Sequence, residues 1–458
     1  MSIKLGFLAI ARPTFDVPFA ESTASDALAA LRDFNTNLIG EASLLMDHAA
    51  VTNAAETLNR EGAEAIVVLQ ATFADSSLIS AVSDQTSAPL ILWAVPEAQV
   101  GGRLRLNSLC GINLAAYVLA RRGDDYRWVY RRPDAPQFSE ELSEALIASR
   151  QAPAVPSGTS GAGQGGGWIE GKTIGVIGDR PDGFEPCDYD EAELLSLTGV
   201  KVDKIGLEDW FEAGDAASEA KLDEIQQGVA ATLSGVNGLD ADALRSSIAL
   251  AAGLEQLAGN RGWSGVATRC WPECFTEFGG AACFANSRMS SRGMPGCCEA
   301  DVYGNVTAVL LQTLSDLPPF VADLVGLDFD SNTATFWHCG MAPTELASPD
   351  EPLRATIHSN REKPLLNEFR LRPGEVTIAR LSQSRNQIRM VVGAGEVLEE
   401  PLPFSGTSGV ARLESDAGAV FDTIMANGLE HHYGIAYGDH RSDLISYAEN
   451  IGVDVVTL

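Results

Sequence analysis

Two acids, Glu299 and Asp323, frame a segment whose residue types could support metal or proton chemistry. The stretch reads Glu299-Ala-Asp-Val-Tyr-Gly-Asn-Val-Thr-Ala-Val-Leu-Leu-Gln-Thr-Leu. Its apolar residues Val302, Val306, Val309 and Leu310 recur at helical spacing, which predicts a helix over 299–314. Glu299 falls one turn before Val302 on the same face. A carboxylate on a core-facing stripe is costly unless a cation or hydrogen-bond donors meet it. Asp323 closes the apolar run Pro318-Pro-Phe-Val-Ala322 and could return to the same place. Hard oxygen ligands of this kind suit a divalent metal. The same residues fit a plainer role, with Glu299 as a helix N-terminal acid favoured by the macrodipole and Asp323 as a cap. Spacing alone leaves the two readings level.

Further candidates lie elsewhere in the chain. Residues 429–439 alternate cleanly if extended: His431, Tyr433, Ile435 and Tyr437 take one face, and His432, Gly434, Ala436 and Gly438 the other. A histidine beside three small residues has the free space that a ligand needs; the alternative is a turn histidine stacked on Tyr433. Arg12 and Trp93 end predicted strands, and ligands of open α/β sheets gather at such carboxyl ends. Arg12 could equally serve an interface ion pair, and Trp93 the core. His338, in Phe336-Trp-His-Cys-Gly340, is open to a backbone-satisfied strand role. Asp301 faces away from Glu299 on an ideal helix and reads as a solvated or supporting acid. Cys270-Trp-Pro-Glu273 follows a predicted strand, which makes Glu273 a reserve acid. His48, His358 and His440 carry no comparable argument.

The elements that must position these residues form three units. Residues 1–152 alternate short apolar runs (5–10, 65–69, 89–93) with helical stretches such as 26–35 and 50–60, the pattern of a parallel sheet covered by helices. A Gly/Ser/Pro stretch over 153–168 reads as a linker or loop. Its Gly161, Gly163 and Gly166 match dinucleotide-binding spacing, but no strand precedes them and no helix follows, so a nucleotide site is rejected. A second α/β unit over 169–328 carries the acids. Residues 329–458 turn β-rich, with runs at 333–337, 355–359, 375–381 and 387–392 that predict an antiparallel barrel or sandwich. The fold class is thus α/β, two doubly wound domains followed by a barrel-like C-terminal domain.

Composition bounds the partners. The chain has 458 residues, 45% hydrophobic, with 62 acids against 32 basic residues and a net charge of −30. So acidic a surface repels phosphate backbones and anionic headgroups, which argues against nucleic-acid and membrane partners. No apolar run reaches membrane-spanning length, and the first ten residues read as a strand rather than a signal peptide. Eight cysteines in so long a chain are read as reduced thiols of a cytoplasmic protein, not as a disulfide or zinc framework.

The segment Glu299-Ala-Asp301-Val-Tyr-Gly304, with an acid 323 − 299 = 24 positions later, resembles the L-fucose isomerase pattern. The runs Gly171–Gly178 and Gly199-Val-Lys-Val are also similar to that family, and its two α/β domains plus β-rich domain match the order read here. The resemblance implies an aldose–ketose isomerase in which Glu299 is base and metal ligand and Asp323 a second ligand. His432 stands five residues before Tyr437-Gly438, as the family's metal histidine does before its own Tyr-Gly, and is the third. The implied cofactor is Mn²⁺, or Co²⁺ or Mg²⁺ in its place. His338 follows Asp323 at the offset of a metal histidine in the related L-arabinose isomerases; it is assigned here to substrate contact. The family's Arg-Pro at the position of Arg12 reaches a neighbouring subunit's sugar, and Trp93 resembles its aromatic wall, so a homo-oligomer with shared sites is expected.

The substrate is read from arginines. Arg103, Arg105, Arg121, Arg122, Arg127, Arg131 and Arg132 crowd about thirty residues without a lysine. Arg121, Arg122, Arg131 and Arg132 are assigned to inter-subunit ion pairs, whereas Arg103 and Arg105 follow Trp93 on a glycine-led loop and are candidate anion contacts. Some enzymes that resemble this family isomerise sulfoquinovose, a glucose analogue with a sulfonate, which makes an anionic sugar the candidate. A neutral sugar such as L-fucose, D-arabinose or L-arabinose is the alternative. A cytoplasmic sugar-binding sensor without catalysis is the alternative from another class.

Overall fold

In a computed structural model, which describes residues 3–150 and 167–458, strand β1 (Leu5–Ile10) is buried at every position. Its unbroken apolar run suits a strand covered on both faces. It lies inside a parallel sheet ordered β2–β1–β3–β4–β5, with β2 (Leu38–Leu45), β3 (Ala65–Gln70), β4 (Leu90–Ala94) and β5 (Tyr126–Tyr130). The helices Val17–Phe34, His48–Arg60 and Ser76–Gln85 start where Asp16, Asp47 and Asp75 accept a first-turn backbone N–H. Strand β2 is not among the sequence-predicted elements. It is a half-exposed edge with Gly40 and Glu41 at its middle, so it shows neither an apolar run nor strict alternation.

A second parallel sheet runs β7–β6–β8–β9, built from β6 (Thr173–Ile177), β7 (Lys201–Ile205), β8 (Gly265–Thr268) and β9 (Gly296–Cys297). The three glycines of the rejected nucleotide motif, and nearly all of the expected linker, lie outside the described residues.

The C-terminal unit contains β10 (Phe320–Asp328), β11 (Thr333–His338), β12 (Arg354–Thr356), β13 (Leu366–Arg370), β14 (Gly374–Ser382), β15 (Arg389–Val397), β16 (Thr407–Leu413), β17 (His432–Tyr437) and β18 (Asp454–Thr457). Antiparallel pairing runs β16–β11–β10–β17–β14–β15, and β15 pairs back to β16. Six strands therefore close on themselves, which is the barrel rather than the sandwich of the two expected forms. Two helices of this unit, Ala417–Asn427 and Arg441–Ile451, are not among the predicted elements.

The predicted helix over 299–314 is corrected to Val302–Gln312. Asp301 is its N-cap and accepts the Gly304 N–H at 2.8 Å, while Glu299 and Ala300 lie in the left-handed region at φ 61° and 53°. Helical geometry cannot pass back through them, so Glu299 stands on a turn and not on the helix stripe. Asp323 is likewise not a cap: it sits within β10, in register with Trp337 on β11 and His432 on β17.

The helix is buried from Val302 to Leu311 and packs between β8 and the barrel strands β14 and β17. Its one amide inside that packing, Asn305, is fully buried and donates to Val266 O at 3.0 Å and Pro295 O at 2.7 Å. A side chain on Gly265 would meet Asn305 Oδ1 at 2.4 Å, so helix and sheet are in direct contact there. Asn305→Ala should therefore destabilise the protein by about 1–3 kcal/mol, read as a lower urea midpoint at unchanged slope. A midpoint within error of wild type would show that the amide does not pin the helix.

Candidate functional site

The segments that leave β1, β3, β8 and β9 line one cavity together with the barrel strands β10 and β11. Its volume is about 600 Å³ including the open mouth. Arg12 enters two residues past β1, Phe73 three past β3, Trp271 three past β8 and Glu299 two past β9. This is the placement that carboxyl-end loops give to ligand sites in parallel sheets.

At the floor, four side chains converge. Glu299 Oε2 lies 3.2 Å from His431 Nε2 and 3.7 Å from His432 Nε2. Asp323 Oδ1 lies 3.2 Å from His432 Nε2 and 4.0 Å from His431 Nε2. Trp271 Nε1 donates to the other Glu299 oxygen at 3.3 Å. The left-handed turn at Glu299 and Ala300 is held by Ala300 N–H donating to Thr268 O at 3.0 Å and Asp301 N–H to Cys298 O at 3.1 Å. Two such non-glycine residues in succession hold roughly 1–3 kcal/mol of strain each, which the surrounding bonds must offset.

Beneath the floor lies a buried charge set. Arg380 donates to Asp301 through Nη1 at 2.7 Å and Nη2 at 3.1 Å, and Nε sits 3.3 Å from Glu430 Oε2. The side chains of all three are at most 1% exposed. Burial alone would raise the Asp301 pKa, but Arg380 and His432 outweigh it and hold the carboxyl below the usual range. Asp301 Oδ2 also lies 2.8 Å from His432 Nδ1. The Nδ1 proton therefore points at Asp301, which leaves Nε2 facing the cavity, where the neutral ring would offer its lone pair. This carboxylate–imidazole pairing is how proteins orient a metal-binding histidine.

The donor set fits a cation. Asp323 Oδ1 is buried and, although 3.2 Å from His432 Nε2, receives no hydrogen bond. A positive charge is needed between these two atoms; a proton on Nε2 supplies it when no metal is bound, and a divalent ion would take that proton's place. Around His432 stand the carboxylates of Glu299, Asp323 and Asp301, with the Arg380 guanidinium against Asp301 and Glu430 beneath. Burial disfavours a charged His432, yet Asp301 and Asp323 outweigh it and push the ring up to about 10. The pocket draws positive charge. Asp323 and His432, with Glu299 Oε2 3.7 Å from the same His432 nitrogen, could hold a cation.

His338 joins this cluster: its ring, Asp323 and His432 offer ligand atoms within 4.8 Å of one another. Its Nδ1 accepts the Cys339 N–H at 2.9 Å, so the neutral ring carries its proton on Nε2, which has no partner in the cavity. A donor there suits a sugar hydroxyl better than a cation.

Other expected positions differ. Arg12 lines this cavity within its own chain, paired with Asp75 at 3.5 Å. Trp93 does not reach the cavity; it is fully buried, stacks on Phe138 at 4.4 Å and donates to Arg131 O. Trp271 is the aromatic that meets Glu299. Arg105 is also outside, on Asp16 at 2.8 Å and over Phe19 at 3.8 Å. Arg103 bonds Asn360 Oδ1 at 2.6 Å and Thr14 O at 3.0 Å, tying two lining segments together from behind. Glu273 is taken up by Arg269 at 2.7 Å. Arg122, Arg131 and Arg132 find their acids within the chain, and Arg121 bonds Asn386. Asp301 is buried, which excludes the solvated reading and leaves the supporting one. All eight cysteines are free thiols.

Sequence reading missed His431, His358 and Arg361, and within the cleft-lining segment Cys270–Glu273 it singled out Glu273 rather than Trp271. Alternation put His431 opposite His432, but β17 begins at His432 and the preceding residue is free to turn inward.

The model of the fucose/sulfoquinovose isomerase N-terminal domain matches residues 6–151, and that of the L-fucose isomerase C-terminal domain matches residues 367–458. The chain is 32% identical over 397 residues to a sulfoquinovose isomerase of Alkalicoccus urumqiensis, covering 86% of each chain. It is 28% identical over 450 residues to one of Priestia aryabhattai (98% of this chain, 97% of that one). A third, from Clostridium sp. (strain MSTE9), is 27% identical over 455 residues, 98% of each. The chain belongs to the fucose/sulfoquinovose isomerase family. No helix among the described residues is long and apolar enough to cross a membrane.

Removing the guanidinium beneath the floor gives a direct test of the charge set. Arg380→Met should cost about 3–5 kcal/mol, because Asp301 and Glu430 would remain buried without their cation. Equilibrium urea unfolding checks it, and a loss under about 1 kcal/mol would show that the set is not needed for stability.

Proposed function

We propose that the protein interconverts sulfoquinovose and its ketose, sulfofructose, with a divalent cation (Mn²⁺, or Co²⁺ or Mg²⁺) held by Glu299, Asp323 and His432. The observation that supports the cation is the gathering of Asp323 Oδ1 and Glu299 Oε2 within 3.2 and 3.7 Å of His432 Nε2, with Asp301 fixing the ring behind. The substrate rests on the names of the relatives and on the guanidiniums in the cavity wall. When bound, such an ion supplies Lewis acidity that favours the anionic form of the sugar's adjacent oxygens.

The chain's own groups carry the proton movements. Aldose–ketose exchange moves one proton between adjacent carbons and another between their oxygens, through an enediol. Glu299 is the base for the carbon-bound proton, a contribution of roughly 10²–10⁴ in rate. Trp271 and His431 occupy its two oxygens from the side and fix the carboxylate plane. Asp323 relays the oxygen-bound proton, taking it from one sugar oxygen and returning it to the other. His338 offers its Nε2–H to a sugar hydroxyl, and Trp271, Phe73 and Trp337 exclude water from the walls.

Several outcomes follow. Glu299→Gln should retain sugar binding and lose at least about a hundredfold in kcat, since an amide cannot act as a base. Turnover in heavy water should place solvent deuterium on the carbon next to the product carbonyl; full retention of the substrate hydrogen at every temperature would exclude the enediol route. Chelation should abolish activity, Mn²⁺ should restore it, and Asp323→Asn should fold yet bind Mn²⁺ far more weakly. Full activity after exhaustive chelation would refute the metal assignment. Among sulfoquinovose, glucose, L-fucose, D-arabinose and L-arabinose, sulfoquinovose should have the highest kcat/KM.

A further inference from the structure

We infer that Arg361, on the loop after β12, is the residue that recognises the anionic end of the sugar and so separates a sulfonated substrate from a neutral one. The inference rests on the isomerase reading above.

Arg361 lines the cavity, with its guanidinium carbon 4.6 Å from the Trp271 ring centroid and 5.5 Å from that of Phe275. Its neighbours all have hydrogen-bonding or ionic partners: Arg12 has Asp75, Arg103 has Asn360 and Thr14, Arg269 has Glu273. Among the described residues, no carboxylate lies within ion-pair distance of the Arg361 side chain and no oxygen accepts from its N–H groups. In a chain of 62 acids, such a guanidinium is conspicuous. Contact with aromatic rings holds the planar group and strips water from it while leaving the forked N–H edge free. That edge matches the oxygens of a tetrahedral anion, whose charge-assisted bonds are short and strong.

The location suits one end of a hexose. The indole that contacts Arg361 also donates from Nε1 to Glu299, so guanidinium and base sit at two sides of a single ring system. A sugar whose reacting carbons lie at Glu299 would direct its far substituent toward Arg361. Arg12 lies 5.1 Å from the same indole centroid, and its charge and that of Arg361 oppose each other. An anion near both relieves that repulsion. Arg103 acts one step behind: it holds Asn360, the residue before Arg361, to the segment after β1.

Steady-state kinetics with sulfoquinovose on the Mn²⁺-loaded enzyme test this. Arg361→Ala should raise KM by roughly ten- to a hundredfold, the loss of one charge-assisted contact, while kcat stays within about threefold. Arg361→Lys should recover part of the loss, because charge returns without the fork. An unchanged KM in both variants, or a fall in kcat at constant KM, overturns the assignment. Wild-type enzyme is measured first. If it turns over a neutral sugar and not sulfoquinovose, the proposed function fails and takes the role of Arg361 with it. If it turns over sulfoquinovose and the variants match it, only Arg361 is reassigned.

Discussion

A single buried guanidinium governs the geometry of the site. Arg380 meets Asp301, Glu430, the carbonyl of His432 at 3.2 Å and that of Pro186 at 3.3 Å, all away from water. These groups belong to the start of the Val302–Gln312 helix, to the approach to β17 and to a turn of the second α/β unit. Asp301 does three jobs: it caps that helix, neutralises Arg380 and sets the tautomer of His432. The direction in which Nε2 faces is thus dictated by an ion pair that never touches substrate. Supporting a reactive group from rigid elements in this way keeps it within the narrow tolerance that proton transfer demands.

Much of this was legible in the residues. The spacing from Glu299 to Asp323 and the small residues around His432, taken with the family resemblance, named side chains that the structure brings to one floor, and the end of β1 led to Arg12. The same strand-end logic failed for Trp93, and the reason is local. Trp93 lies within β4, where both faces are covered, whereas Trp271 lies three residues beyond β8. The helix phase also misled. A periodic apolar run cannot reveal that its first turn is replaced by two left-handed residues, and the consequence was to put Glu299 on the stripe and Asp301 off it. Arg361 carries no periodic signal at all, being in a loop whose role depends on what it fails to pair with.

The overall charge of −30 and the cavity's guanidiniums act at different ranges. At physiological ionic strength the field of exposed acids decays over about 8 Å. An anionic sugar therefore meets general repulsion only near the surface, and inside the mouth it meets Arg12 and Arg361. The bulk charge keeps the protein soluble and disfavours polyanions, while the local charges set what small anion is retained.

Closure of the barrel bears on how the molecule is made. Strand β17 lies between β10 and β14, both of which precede it in the chain, and it brings His432. Arg12 and His432 are 432 − 12 = 420 positions apart. During synthesis the two α/β units can bury their apolar surfaces early, but β10 and β14 must wait with unpaired backbone edges until the late strand slots between them. Open edges of that kind recruit other chains. The gap that later completes the pocket is consequently also an exposed edge of the nascent protein until the last strands arrive.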